Sequence, residues 1–174
     1  MNKLEDYLVS IPDFPKPGVV FRDITSILQD KDGLQLAIKE ILKLLADTDF
    51  DLVAAPESRG FLLGMPIAYQ MKKGFIPVRK KGKLPRETIR AGFEMEYART
   101  ELEMHKDAVA PGQKVVIIDD LMATGNTLRA IADMVETLGG KVVKICCLLE
   151  LPELEGRRQL KDYEIASVLS CDEA

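Results

Sequence analysis

No apolar run in the chain reaches the roughly 18 residues that a membrane-spanning helix needs, so a membrane partner is not expected. The N-terminus lacks the apolar core of a secretory signal. The three cysteines, Cys146, Cys147 and Cys171, show neither C-x-x-C spacing nor an even count. That argues against a disulfide framework and for free thiols in a reducing, cytoplasmic setting. The single histidine, His105, sits beside Lys106 and Asp107 and is expected at the surface. Tryptophan is absent, and nothing follows from that. No G-x-x-x-x-G-K-[ST] loop is present, which removes the main support for a P-loop NTPase. No G-x-G-x-x-G follows a strand, which disfavours a dinucleotide fold. Positive charge is not in excess either: the formal net charge is −4, and a nucleic-acid surface is not favoured. Repeats, low-complexity tracts and linkers are missing, so residues 1–174 read as one domain.

What is present centres on one stretch. Val115-Val116-Ile117-Ile118 runs apolar without alternation, as a strand buried on both faces does. Asp119 and Asp120 follow at its carboxyl end, then Leu121, Met122, Ala123, Thr124, Gly125, Asn126 and Thr127. Helical spacing begins next, with Leu128, Ile131, Ala132 and Val135 on one face. Free backbone N–H groups at a helix start, the dipole and two threonine hydroxyls make an anion site suited to phosphate. Gly125 permits close approach or a positive φ, and Asn126 tolerates left-handed geometry. The two carboxylates would repel a phosphate and are better placed to accept hydrogen bonds from hydroxyls of the same ligand. A phosphorylated sugar meets both demands.

Other parts of the chain point the same way. Pro12, Pro15 and Pro17 predict a stiff, extended N-terminal segment that leads into Val20-Phe21-Arg22. Phe21 could stack on a flat ring there, with backbone groups reading its edge. An amphipathic helix is expected from Asp32, with Leu34, Ile38, Ile41, Leu42 and Leu45 inward. Leu52 to Ala55 reads as a buried strand, Pro56 to Gly60 as a turn, and Phe61 to Met71 as a helix well buried on most sides. The turn lies at a strand's carboxyl edge, where α/β sheets bind ligands, and Arg59 adds a fixed positive charge suited to pyrophosphate. Arg79, Lys80, Lys81, Lys83 and Arg86 crowd together after the strand Phe75 to Val78. Alternation at Phe93, Met95 and Tyr97, and again at Leu102 and Met104, predicts an antiparallel hairpin bent near Glu96 and Tyr97. Such a hairpin suits a lid that excludes water from an unstable sugar cation. Strands at Lys141 to Leu149 and Glu164 to Leu169 complete five parallel-type strands in an α/β fold. Cys146 and Cys147 point to opposite faces of the first of these, so at least one is plain core.

V-V-I-I-D-D-L-M-A-T-G-N-T resembles the phosphoribosyl-pyrophosphate (PRPP) motif of the type I phosphoribosyltransferases, in the wording of the adenine phosphoribosyltransferases. F-P-K-P-G-V-V-F-R-D-I at 14–24, E-S-R-G-F at 57–61, R-K-K-G-K-L-P at 79–85 and F-E-M-E-Y-A-R-T-E-L-E at 93–103 resemble the same family's segments in order. The resemblance implies a type I parallel-sheet fold with an N-terminal hood (1–30), and a basic loop with an antiparallel flap (80–106). It implies purine salvage, with adenine and PRPP giving AMP and pyrophosphate, Mg2+ held mainly through PRPP, and a homodimer. It assigns adenine to Val20, Phe21 and Arg22, and the 5′-phosphate to Ala123, Thr124, Gly125, Asn126 and Thr127. Pyrophosphate falls to Glu57, Ser58, Arg59, Arg79, Lys80 and Lys83, with a cis peptide at Glu57–Ser58. Asp119 and Asp120 take the ribose hydroxyls, Glu96 exchanges a proton with the base, and Tyr97 belongs to the flap. Residue 123 is Ala, where relatives acting on 6-oxopurines carry Asp, which favours adenine.

Overall fold

In the computed structural model, which describes residues 3–95 and 98–171, buried strands set the architecture. Five parallel strands form its centre: β3 (Leu52–Pro56), β4 (Gly74–Lys80), β7 (Lys114–Met122), β8 (Lys141–Glu150) and β9 (Ile165–Ser170). Two antiparallel strands, β5 (Thr88–Met95) and β6 (Ala98–His105), extend one side, giving the order β5-β6-β4-β3-β7-β8-β9. Alternate residues of β7 feed two cores, as the unbroken apolar run requires. Val116 and Ile118 join the core under α2 (Lys31–Leu44) and α3 (Arg59–Gln70). Val115 and Ile117 join the one under α4 (Asn126–Thr137). Cys146 and Cys147 are both fully buried and fall in different cores, as expected of strand neighbours, whereas Cys171 is half-buried.

Several expectations are corrected. The N-terminal segment is not simply extended. β1 (Val9–Pro12) and β2 (Val20–Asp23) pair antiparallel, and the proline-rich stretch between them turns back. Asp13 stabilises the reversal by accepting the Gly18 N–H at 2.8 Å, and the Phe14 N–H donates to the Val19 carbonyl at 3.1 Å. Proline is tolerated here because β1 is an edge strand. The second helix of the sequence reading, α3, is not covered on most sides. Leu63, Ile67 and Ala68 are buried, but Leu62 and Met65 are half exposed and Tyr69 is 83% exposed. Helix α2 follows the short α1 (Thr25–Gln29) and begins at Lys31, one residue before the expected start, because Asp30 caps it, accepting from Asp32 N and Gly33 N.

His105 is buried, not superficial, and its Nε2 accepts the Arg86 N–H at 3.4 Å. The reason is that β6 pairs with β5 on one side and with β4 on the other. Its end is therefore interior sheet, with Leu102, Glu103 and Met104 also buried.

Candidate active site

The chain runs from β3 outward to β4 on one side, while β7 lies on the other side of β3. Such a reversal of strand order opens a crevice at the carboxyl ends of the strands. A cleft of about 380 Å³ lies there, lined by Glu57, Ser58 and Arg59, by Lys80, by Asp119 and Asp120, and by Thr127. Local sequence puts each group in place. Pro56 ends β3, the Glu57–Ser58 peptide is cis, and α3 starts at Arg59. Lys80 is the last residue of β4.

Asp119 and Asp120 end the buried run of β7 and remain almost wholly out of solvent. The Asp120 N–H donates to Asp119 Oδ1 at 2.8 Å. Burial, reinforced by the neighbouring Asp120 charge, pushes the Asp119 carboxyl well above the usual carboxylate range. Arg59 Nε approaches Asp120 Oδ2 to 2.9 Å, but no hydrogen bond is aligned on that buried oxygen. The pair of acids thus has unused acceptor capacity facing the cleft.

The loop after β7 turns at Gly125, whose φ is +81°, and that left-handed position is the one a glycine serves. Asn126 is not the left-handed residue; it opens α4 in helical geometry. No side chain caps α4 and its first turn holds no acid, so its leading N–H groups and positive dipole end stay available to an anion.

Two of the cations expected at pyrophosphate do not line the cleft. Arg79 is held by Glu57, with Nε 2.5 Å from Oε2, and donates to the Lys83 carbonyl at 3.2 Å. The Lys83 and Leu84 N–H groups both donate to Glu103 Oε1 at 2.9 Å. Glu103 carries no role in the sequence analysis above, where it is one letter of the 93–103 segment. Burial raises its pKa, yet the backbone N–H groups of Leu84, Gly82 and Lys83 and the Thr88 hydroxyl outweigh that and leave it lowered.

The hood supplies a second, apolar pocket of about 170 Å³ between Val19, Val20 and Arg22 and the turn after β8, with Leu151, Glu153, Leu154 and Cys171. Phe21 does not line it; its ring meets Phe14 edge-on at 5.3 Å between centroids. The Leu151 N–H donates to the Met122 carbonyl at 3.0 Å, so this pocket adjoins the loop after β7. Leu151, Glu153 and Leu154 escaped the sequence reading. Glu96 and Tyr97 lie outside the described residues.

Magnesium fits this donor set. Among the described residues no group of three or more His, Cys, Asp or Glu can close a metal cage, while two buried acids border the cleft. A hard cation sharing few protein oxygens and taking the rest from substrate phosphates matches that arrangement.

A family profile described as phosphoribosyl transferase domain matches residues 23–173. An adenine phosphoribosyltransferase of Lachnoclostridium phytofermentans is 58% identical over 169 residues, covering 97% of both chains. The chain belongs to the adenine phosphoribosyltransferase family. The crystal structure of the Thermoanaerobacter pseudethanolicus adenine phosphoribosyltransferase superposes with a TM-score of 0.93 at 50% identity, over 97% of this chain and all of that one. The Saccharomyces cerevisiae adenine phosphoribosyltransferase, complexed with an imino-altritol bisphosphate and adenine, gives a TM-score of 0.89 at 34% identity, over 95% and 96%. As an adenine phosphoribosyltransferase, the chain keeps the family's parallel sheet with its antiparallel extension.

Proposed function

We propose that the cleft transfers the phosphoribosyl group of PRPP to adenine, yielding AMP and pyrophosphate. One observation carries the assignment of roles. A reversal in strand order brings a Ser-Arg turn, a lysine, two buried acids and an uncapped helix start to one cleft.

Ala123 to Thr127 hold the 5′-phosphate at the start of α4, so binding energy from a remote group fixes the reacting carbon. Asp119 and Asp120 accept the ribose hydroxyls and stand close to the sugar as its C1′–O bond breaks and an oxocarbenium-like centre develops. Ser58, Arg59 and Lys80 receive the departing pyrophosphate; Glu57, Arg79 and Lys83 act beside them by shaping the basic loop. Magnesium bound with PRPP supplies Lewis-acid neutralisation of the pyrophosphate. Adenine occupies the hood pocket. There Val20, Phe21 and Arg22 belong to a two-stranded sheet, which leaves one edge of β2 with backbone groups to read the base. Glu96 exchanges the proton of the base, and Tyr97 closes with the flap. Residues 1–30 serve as hood and 80–106 as basic loop and flap of a single domain.

The exposed stripe of Leu62, Met65 and Tyr69 on α3 supports a homodimer. The free thiols support a cytoplasmic enzyme; among the described residues no helix is long and apolar enough to cross a membrane.

The test is product formation from PRPP, Mg2+ and each of adenine, hypoxanthine, guanine and xanthine. AMP from adenine alone is expected. Absence of product with every base, despite PRPP binding, would overturn the reading in favour of a PRPP-sensing protein.

A further inference from the structure

The turn that follows β8 meets both halves of the site. Leu151, Glu153 and Leu154 line the hood pocket. Five residues on from Leu151, Gly156 opens α5 (Gly156–Gln159) and lies against the back of the loop after β7. A Cβ at Gly125 would fall 2.6 Å from the Gly156 carbonyl oxygen. A Cβ at Gly156 would overlap the Ala123 carbonyl oxygen and stand 3.2 Å from Gly125 N. Two backbones in such contact cannot move independently.

The turn is tied down from beneath. Glu150, the last residue of β8, is buried and accepts a two-pronged bond from Arg157, Nε to Oε1 at 2.6 Å and one terminal nitrogen to Oε2 at 2.7 Å. The Ser167 hydroxyl on β9 donates to the same Oε2 at 2.7 Å. Fork-on-fork geometry of this kind fixes orientation as well as distance. The bond closes the turn on itself, from the end of β8 to the residue immediately after Gly156.

We infer that Arg157 and Glu150 are positioning residues for catalysis. Their pair sets the 151–156 turn as a common wall for the base pocket and the 5′-phosphate loop, so that base and phosphate are held at one fixed separation. This inference rests on the assignment of those two subsites above. The pair does not reach the pyrophosphate side of the cleft, whose groups come from β3 and β4. Its loss therefore has a directional signature. AMP, which spans both subsites, binds less well, while pyrophosphate binds as before.

The experiment is steady-state kinetics in both directions on full-length Arg157→Met, Arg157→Lys and Glu150→Gln, with Tm measured for each. Thr127→Val serves as the probe of the phosphate loop itself. Arg157→Met should raise KM for AMP and for PRPP on the order of tenfold and leave KM for pyrophosphate unchanged, because the displaced turn weakens binding at the two subsites it walls and not at the third. Glu150→Gln, which keeps acceptor and donor atoms near Arg157 and folds with less risk, should show the same pattern in weaker form. Arg157→Lys should fall between, since a lysine gives one contact where the guanidinium gives two. If the variants merely lose active protein, with lower kcat and Tm but unchanged KM for AMP and PRPP, the pair is structural and the inference fails. If KM for pyrophosphate rises in step with that for AMP, the effect is not confined to the shared wall and the inference also fails. Thr127→Val separates the two levels. No change in its KM for PRPP would overturn the phosphate-loop assignment and the inference with it. A rise there without one in the Arg157 variants would overturn the inference alone.

Discussion

Arg59 Nε lies 2.9 Å from Asp120 Oδ2, so the cation proposed for the leaving group and the acid proposed for the sugar hold each other across the cleft. The contact joins the start of α3 to the end of β7. Arg59→Ala should lower kcat by about a hundredfold through lost charge stabilisation. It should also lower Tm, since the buried Asp120 loses its ion-pair partner. Arg59→Lys should recover Tm better than kcat, because its point charge lacks the planar fork. Equal recovery of both would count against a catalytic role for the guanidinium.

Asp119 should show activity and stability moving in opposite directions. Burial and Asp120 raise its pKa, so ionisation is disfavoured in the folded chain. For a raised carboxylic acid the sign is that stability is full below the ordinary value and falls as pH climbs toward the native one. Asp119→Asn should therefore melt above the parent at neutral and alkaline pH, with the difference shrinking as pH falls toward 3.8. Its kcat/KM for PRPP should drop by about a hundredfold. A parent and variant with parallel Tm profiles across that range would show that Asp119 ionises freely.

Glu103 anchors the basic loop through the Lys83 and Leu84 N–H groups. Its pKa is lowered, so the sign is the reverse: its contribution is complete above the usual glutamate value of 4.5 and is lost as pH falls through the depressed native one. Glu150 behaves alike, chiefly because of its bond to Arg157, which outweighs burial. Glu103→Gln should lose the extra acid sensitivity of the parent below pH 4.5. At neutral pH it should raise KM for pyrophosphate several-fold, about 1 kcal/mol for one weakened set of bonds. Limited proteolysis within 82–87 should become faster. An unchanged KM and cleavage rate would mean that the loop does not need its anchor.

Tyr69→Glu, paired with Met65→Lys, should turn a dimer into a monomer in sedimentation at micromolar concentration. Both side chains are exposed in the isolated chain, so the monomer itself should keep its fold and its far-UV circular dichroism. A dimer that survives both changes would place its interface elsewhere.

Legibility followed distance along the chain. The strand, the acids and the anion loop at 115–127 could be read because a contiguous segment encodes its own burial, turn and helix start. The Pro56–Gly60 turn was legible for the same reason. Glu103 was not, since its value lies in reaching a loop some twenty residues earlier in the chain. Glu150 carried a faint signal: an acid at the end of the apolar run 145–149 mirrors the acids that follow the apolar run of β7. Its partners Arg157 and Ser167 come from separate elements, and nothing local joins them. The open face of α3 was misjudged because apolar composition says what a surface favours, not what covers it. The hood's hairpin was hidden by prolines that a sequence reading treats as breakers, although an edge strand accommodates them.

The three thiols divide in a way that bears on how the molecule can be watched at work. Burial pushes Cys146 up to about 12 and Cys147 well above the ordinary thiol range, and neither can meet a bulky reagent. Cys171 is half-buried and stands in the wall of the hood pocket beside Val20, Arg22 and Leu151. The native chain thus carries a single thiol open to such a reagent, in the wall of the pocket proposed for the base, a built-in reporter of occupancy. The rate at which a maleimide consumes that sulfur, with and without nucleotide, would give a titration of the pocket that needs neither turnover nor a label introduced by mutation.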